Sequence, residues 1–229
     1  MADKNFVQDQ DGNEMIIARA KDFWGKYGKV LTISSLVIIL IAGGYLGYNE
    51  LVKKPREQKA SEAMFRAEAY FRTDSISKAL NGDGQAWGFL RVIDKYGSTK
   101  AGNLANFYAG SCYIKMNDNQ KALKYLKDFS TSSKPFLSHK YRLMADAYGD
   151  LGQYKEALDY YQKAAHSFEK DEAFAAECLF MGAYLAQKNL NDVKTATELY
   201  KEIKTKYPRT TQGYDADNYL AQMGVYNTD

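Results

Sequence analysis

One uninterrupted stretch of the sequence, residues 30–49 (VLTISSLVIILIAGGYLGYN), carries no charged side chain. An α-helix rises about 1.5 Å per residue, so a helix of this length spans roughly 30 Å, the thickness of a bilayer's hydrocarbon core. A single helix can cross lipid because it satisfies its own backbone hydrogen bonds. Trp24, Tyr27 and Tyr48 lie near its ends, as is usual for aromatic residues at the headgroup layer. The stretch therefore predicts a single transmembrane helix over residues 30–49.

Two alternatives to an uncleaved membrane anchor remain open at this point. The tripeptide Ala42-Gly43-Gly44 fits the minimal small-x-small pattern of a signal-peptide cleavage site. Against cleavage, the 29 residues before the apolar stretch are unusually long for a signal leader and include acidic side chains, namely Asp3, Asp9, Asp11, Glu14 and Asp22. A helix buried in a soluble core is the other alternative, although core helices are usually shorter and amphipathic. An uncleaved anchor is favoured over both.

The residues before the apolar stretch divide into two segments. Residues 1–13 are polar and predict a disordered N-terminus. Residues 14–29 (EMIIARAKDFWGKYGK) place apolar side chains at helical spacing and predict an amphipathic juxtamembrane segment. It would either lie in the headgroup plane or begin the membrane helix. Basic residues are balanced across the stretch, with Arg19, Lys21, Lys26 and Lys29 before it and Lys53, Lys54, Arg56 and Lys59 after it. Charge therefore does not decide orientation.

After Pro55 the sequence repeats a pattern of small and aromatic residues. Residues 143–165 (LMADAYGDLGQYKEALDYYQKAA) carry it most clearly, at Ala145, Tyr148, Gly152, Tyr154, Ala157, Tyr161 and Ala164. Ala122 occupies the position of Ala157 one unit, or 35 residues, earlier. The pattern resembles the tetratricopeptide repeat, a two-helix unit of about 34 residues in which a helix A packs on a helix B. Small residues permit close approach of the helices, and rings fill the space between units.

The resemblance predicts an all-α chain, with an N-terminal transmembrane helix followed by a tetratricopeptide-repeat helical solenoid over residues 56–229. About four helical hairpins are expected. The first has its A helix at 60–71 and an irregular connection at 73–85, and a polar-faced capping helix at 211–223 closes the array. Pro135 and Pro208 fall between predicted hairpins, where they interrupt no helix.

The sequence offers little that points to catalysis or to cofactors. It has two histidines and two cysteines, and it contains no zinc-binding, nucleophile-elbow or phosphate-loop motif. Cys112 and Cys178 fall two units apart in predicted A helices, which predicts buried free thiols rather than a disulfide. The nearly balanced charge, 31 basic against 28 acidic residues, speaks against nucleic acid as a partner. We therefore expect no enzymatic activity, no metal and no cofactor.

A protein partner is the expected ligand. In tetratricopeptide-repeat stacks the A helices line a groove, which suits an extended or helical segment with apolar anchors. By the register of the repeat, ten residues are predicted to face this groove: Leu104, Phe107, Ser111, Ile114, His139, Arg142, Asp146, Asp150, Leu179 and Ala183.

The order of parts is more specific than any single motif. A basic aromatic lead-in (AKDFWGKYGK), one apolar span and a repeat array together resemble the YfgM-like family of ancillary subunits of the bacterial SecYEG translocon. The resemblance implies an inner-membrane protein with a cytoplasmic N-terminus. Its periplasmic domain would contact translocon subunits, periplasmic chaperones or client segments. A periplasmic assembly factor for outer-membrane or cell-wall machinery, using the same repeats, is the alternative.

Overall fold

The computed structural model describes residues 4–226, with side chains from residue 14 onward, and the chain divides between Pro55 and Arg56 into two units. Residues 4–226 contain helices and no β-strand. The helices are α1 (Lys4–Tyr48), a π-helical segment (Asn49–Lys53), α2 (Lys54–Arg72), α3 (Ile76–Asn81), α4 (Phe89–Tyr96), α5 (Lys100–Lys115), α6 (Asn119–Asp128), α7 (Lys134–Asp150), α8 (Tyr154–Ser167), α9 (Glu172–Lys188), α10 (Val193–Lys206) and α11 (Thr211–Gln222).

The N-terminal unit is dominated by helix α1, which is long and apolar enough to span a membrane. The most apolar part of its surface is not covered by other protein, since the side chains of Ile38 and Ile41 are 64% and 68% exposed. The alternative of a buried core helix is therefore wrong. Residues 14–29 continue without a break into the apolar stretch as one helix. The predicted disorder over 1–13 stays a prediction: α1 begins at Lys4, and residues 1–3 lie outside the described residues.

The C-terminal unit begins with an irregular first hairpin. Helix α3 lies inside the connection that was expected to be irregular, and it forms because Ala79 and Leu80 pack into a buried cluster with α2, α4 and α5. The next turn is fixed by Asp83, whose carboxylate accepts hydrogen bonds from the Tyr70 hydroxyl at 2.6 Å and the Ala86 N–H at 2.7 Å. The Tyr70 bond, followed by the Ala86 bond, lowers the pKa of Asp83 to about 2.

Three regular hairpins follow, formed by α5 with α6, α7 with α8, and α9 with α10. Each turn between the two helices contains one residue in the left-handed backbone region: Asn117 (φ 58°), Gly152 (φ 72°) and Asn191 (φ 56°). Glycine and asparagine tolerate this conformation best, which is why these residue types occupy the turns. Asn117 and Gly152 are one repeat apart, whereas the turn that contains Asn191 is one residue longer.

Helices α5 and α11, which each follow a B helix, begin with the same threonine cap. Thr99 donates its hydroxyl proton to the Tyr96 carbonyl at 2.6 Å and accepts the Gly102 N–H at 3.0 Å. Thr210 repeats this arrangement at the start of α11, and both glycines are required because an added Cβ would lie within 2.1 Å of the preceding tyrosine carbonyl oxygen. Threonine here caps the helix by satisfying an otherwise unpaired backbone donor.

Alanines and ring pairs fill the interior between helices. Ala122, Ala157 and Ala196, at the same position of successive B helices, are fully buried. Within two hairpins a tyrosine of helix A stacks on a tyrosine of helix B, as Tyr113 does on Tyr125 with ring centroids 5.4 Å apart. The equivalent rings one repeat later are 5.3 Å apart. The predicted fold class, all-α with tetratricopeptide-type hairpins, is confirmed.

Candidate partner-binding face

The residues predicted to face a groove lie mainly on one side of α5 and α7. Residues 139, 142, 146 and 150 of α7 follow a spacing of three or four, so they share one face of that helix. Side chains of the neighbouring A helices α5 and α9 adjoin them. We call this surface the A-helix face and define it by Phe107, Phe136, His139, Arg142, Asp146, Asp150, Phe174 and Glu177.

One end of the A-helix face is aromatic. The Phe107 ring lies 5.5 Å from the Phe136 ring and 5.3 Å from the Phe129 ring, measured between centroids. Phe129 is buried, but Phe136 is 38% exposed. His139, one turn further along α7, packs its ring edge-on against Phe174 of α9 at 4.4 Å. This end offers apolar ring surface to water, as a site for apolar anchor residues would.

The middle of the A-helix face is a network of charges around Arg142. The guanidinium donates through Nε to Asp146 at 3.1 Å and through a terminal nitrogen to Glu177 of α9 at 3.0 Å. The Tyr161 hydroxyl of α8 donates to the same Asp146 oxygen at 2.6 Å. The Arg142 and Asp146 side chains are only about one-quarter exposed, at 23% and 28%. The network therefore ties three helices together and keeps charged groups half-buried at the surface.

Partner charges and burial act together on the protonation of this network. Burial disfavours the charged Arg142, but the Asp146 and Glu177 carboxylates outweigh it and raise the pKa of Arg142. Burial, and then the Asp146 charge, raise the pKa of the Tyr161 hydroxyl. Arg142 therefore stays cationic and Tyr161 stays a neutral donor at physiological pH.

At the other end, Asp150 is exposed and accepts a hydrogen bond from the side-chain amide of Asn119 at 3.3 Å. The second amide atom of Asn119, its Oδ1, is buried without a hydrogen-bond partner among the described residues. This end of the face is therefore acidic and is positioned by α6.

Five of the ten predicted groove residues contribute less surface than expected. Leu104 and Ile114 are half-buried against the core, and Ser111 is buried with its hydroxyl donating to the Phe107 carbonyl at 2.9 Å. Leu179 and Ala183 of α9 have 0% exposure and belong to the same buried cluster as α11. The prediction that Leu179 and Ala183 face a groove is thus corrected, because neither exposes an atom to a partner.

Three residues of the face, Phe136, Phe174 and Glu177, were not predicted. His139 contacts Phe174, and Arg142 contacts Glu177. Both pairs are separated by 35 residues, the interval between Ala122 and Ala157. Equivalent positions of the second and third hairpins are farther apart, 39 residues between Ala157 and Ala196, so Phe174 and Glu177 are not the repeat equivalents of His139 and Arg142.

One group of side chains has the composition of a metal site. Ligand atoms of His166, Glu169 and Glu202 lie within 4.8 Å of one another. The ammonium group of Lys206, however, lies 3.2 Å from Glu169 and 2.9 Å from Glu202, so a cation of the chain itself already pairs with both carboxylates. The His166 Nε2 is 2.9 Å from Glu202 and completes the cluster. This arrangement ties α8 to α10.

The two cysteines are poor nucleophiles. Both are buried free thiols, and burial raises the pKa of each to about 12. Because the thiolate is the reactive form, such thiols are inert near neutral pH.

Comparison with known proteins supports the repeat architecture. The sequence model of a family described as a tetratricopeptide repeat-like domain matches residues 21–177. A second, described as a tetratricopeptide repeat, matches residues 177–210. The first match begins before the apolar stretch of α1 and includes it. No curated protein matches the chain.

Proposed function

The chain belongs to the tetratricopeptide repeat-like family, and on that basis we propose that it is a membrane-anchored, non-enzymatic scaffold for protein partners at the bacterial cell envelope. Domains of this family are typically non-catalytic and bind proteins. More specifically, we propose an ancillary translocon subunit of the inner membrane. Its N-terminus is cytoplasmic, and its repeat domain is periplasmic. Its partners are translocon subunits, periplasmic chaperones or client segments.

The A-helix face is the observation that carries this proposal. It combines exposed ring surface at Phe136 and His139 with a half-buried ion network at Arg142, on helices held rigidly by the hairpins. Apolar anchor sites beside fixed charges are the usual composition of a surface that binds a peptide or helix. The ring surface supplies affinity, and the charges select the register and orientation of the bound segment.

Attachment to a bilayer makes a modest groove affinity sufficient. Helix α1 is long and apolar enough to act as the anchor. Confinement to one membrane raises the effective concentration of partners in that membrane, to the millimolar range for short tethers. A scaffold of this kind holds partners that exchange readily.

Photo-crosslinking in living cells tests the proposal. A photoreactive phenylalanine analogue is placed at Phe136 or at His139, with Tyr214 of α11, which is 73% exposed, as the matched control position. We expect crosslinks to translocon subunits or periplasmic chaperones from the two positions on the face and none of these from Tyr214. Crosslinks to outer-membrane or cell-wall assembly machinery would favour the assembly-factor alternative. Equal products from all three positions would refute a partner role for the face.

Orientation is tested separately by adding protease to membrane vesicles of known sidedness. We expect the repeat domain to be digested only from the periplasmic side. Digestion only from the cytoplasmic side would refute both the translocon proposal and its periplasmic alternative.

A further inference from the structure

The first hairpin carries a cationic surface that the A-helix face does not include. Arg56, Lys59 and Arg66 of α2 are spaced by three and seven residues, which places them on one face of that helix. Arg91 and Lys95 of α4 are one turn apart and likewise share a face. All five side chains are exposed. We call them the cationic face.

Contacts join the two helices into one surface. Lys59 and Arg66 line a shallow cleft together with Trp87 and Tyr96, and the Arg91 guanidinium lies 4.4 Å from the centre of the Trp87 ring. Arg56 donates to the Lys95 carbonyl at 3.0 Å. The Trp87 and Tyr96 rings stack with centroids 5.9 Å apart.

Two of the three acidic groups near the cationic face hydrogen-bond to groups outside it, and the third pairs with Lys95. The two Glu57 carboxylate oxygens accept the backbone N–H groups of Lys100 and Ala101 at 2.8 and 2.9 Å, at the start of α5. Glu62 also lines the cleft and accepts a hydrogen bond from Gln58 at 3.0 Å. Asp94 lies 3.5 Å from Lys95. Five cations against three carboxylates leave the surface net positive.

The short covalent connection to the apolar stretch limits how far the start of this surface can lie from the membrane. Arg56 follows Asn49, the last residue of the apolar stretch, by seven residues. Even a fully extended chain advances at most about 3.6 Å per residue, so Arg56 cannot lie more than about 25 Å from the end of the stretch. When the stretch is inserted in a bilayer, Arg56, at one end of the cationic face, therefore lies within about 25 Å of the headgroup layer. Lysine and arginine are attracted to anionic headgroups, and tryptophan and tyrosine prefer the headgroup layer.

We propose that the cationic face binds the anionic phospholipid headgroups of the bilayer that contains α1. The inference rests on the membrane insertion included in the proposed function. Docked in this way, the first hairpin would hold the repeat array in a defined orientation relative to the membrane. The A-helix face would then point in a fixed direction. The choice of lipid over an acidic protein segment follows from the short covalent connection and from the two rings among the cations.

Fluorescence of Trp87 provides a direct test on the full chain. The protein has two tryptophans, so the Trp24→Phe variant leaves Trp87 as the only reporter. This variant is reconstituted in nanodiscs of phosphatidylcholine with or without phosphatidylglycerol, containing a lipid with a nitroxide near its headgroup. We expect stronger quenching and a blue shift of Trp87 in the anionic discs. Both effects should be lost near 1 M salt, where the screening length falls to about 3 Å.

Charge reversal identifies the residues responsible. Lys59→Glu/Arg66→Glu should abolish the difference between anionic and neutral discs, because each cation near an anionic surface contributes about fivefold to docking. The matched control is Lys155→Glu/Lys194→Glu, which changes the net charge equally at exposed residues of α8 and α10. The control should retain the difference. Loss in both variants, or equal quenching in the two disc types, would overturn the proposal.

Two further measurements distinguish failure of the proposed function from failure of the cationic-face proposal alone. Release of the protein from membranes by alkaline carbonate would refute membrane insertion, and with it the proposed function. Retention in the membrane without lipid-dependent quenching would refute the cationic face alone. A response of Trp87 to added polyglutamate, but not to anionic discs, would assign the face to an acidic protein segment and overturn the lipid proposal.

Discussion

Helices α7 and α9 occupy equivalent places in successive hairpins, yet they present their shared face differently. The α7 positions carry His139, Arg142 and Asp146, which are exposed or half-buried. The corresponding stretch of α9 carries Leu179 and Ala183, which are completely buried. The contrast lies in what packs beside each helix. Alanines of α9 and α11 permit close approach of that pair, whereas α7 and α9 meet through the long side chains of His139, Arg142 and their partners.

The comparison shows that the repeat register predicts on which face of its helix a side chain lies. It does not predict whether that face is exposed to solvent. Whether the face is open depends on the size of the residues on the next helix. Small residues let the next helix close over it, and long polar residues hold the surface accessible. The proposed binding surface is therefore confined to the part of the array around α7.

The largest expected contrast is in thiol reactivity. In a Cys112→Ala background, Cys178 of α9 should react with iodoacetamide at pH 8 at least about 1000-fold more slowly than a cysteine introduced by His139→Cys. Burial raises the pKa of Cys178 to about 12, so thiolate is scarce, whereas residue 139 is exposed. The alkylation rates of the two thiols are measured by mass spectrometry. Rates within tenfold of each other would contradict the burial of α9.

Truncation of a buried side chain should give the largest effect on stability. Leu179→Ala should lower the free energy of unfolding by about 2–5 kcal/mol, the usual range for a fully buried leucine. Leu151→Ala is the matched control at the end of α7, where the side chain is 36% exposed, and should cost less than about 1 kcal/mol. Urea unfolding followed by circular dichroism measures both. Similar losses would mean that Leu179 is not covered as described.

Glycine at the contact between helices A and B offers a finer test. A Cβ on Gly110 of α5 would lie 2.6 Å from Leu126, whereas on Gly182 of α9 its nearest neighbour would be the end of Leu158 at 3.3 Å. Gly110→Ala should therefore destabilise by about 1–3 kcal/mol through overpacking.

Gly182→Ala is the matched variant and should stay within about 1 kcal/mol of wild type, since its gain in helix propensity offsets a small adjustment of Leu158. Helix α7 already carries alanine at this position, Ala145. Thermal unfolding of the two variants measures the difference, and the reverse order of stabilities would refute this account of the packing.

The smallest expected effect concerns the ion pair that joins α7 to α9. A double-mutant cycle with Arg142→Met and Glu177→Gln should give a coupling energy of about 1 kcal/mol, because both groups are partly shielded from water. The exposed pair Asp159 and Lys163 on α8 is the control and should give about 0.3–0.5 kcal/mol. Equal coupling in the two cycles would show that shielding at the A-helix face is unimportant.

Much of the fold followed from the sequence, because the spacing of small and aromatic residues is a direct consequence of helix packing. The interval between Ala122 and Ala157 located the hairpins, and Pro135 marked the start of α7. Helix α3 was missed because six residues are too few to establish a helical period.

The site was harder to predict than the fold. Burial of Leu179 and Ala183 depends on how closely the helices of their cluster approach, and no local sequence pattern encodes that distance. Phe174 and Glu177 lie 35 residues beyond His139 and Arg142, whereas equivalent positions such as Ala157 and Ala196 are 39 residues apart, so the repeat register did not point to them. Phe136 carries no comparable signal.

The contacts of His139 with Phe174 and of Arg142 with Glu177 have a consequence for the order of the hairpins. Each joins two different residue types from neighbouring units. Because Gly182 is the equivalent of Ala145, Glu177 is the equivalent of Lys140, so a tandem copy of α7 and α8 would set a second cation, instead of a carboxylate, opposite Arg142. Stacks such as Tyr113 on Tyr125 lie within one hairpin and would survive such a copy. The hairpins are therefore not interchangeable, and the array resists lengthening by simple gene duplication.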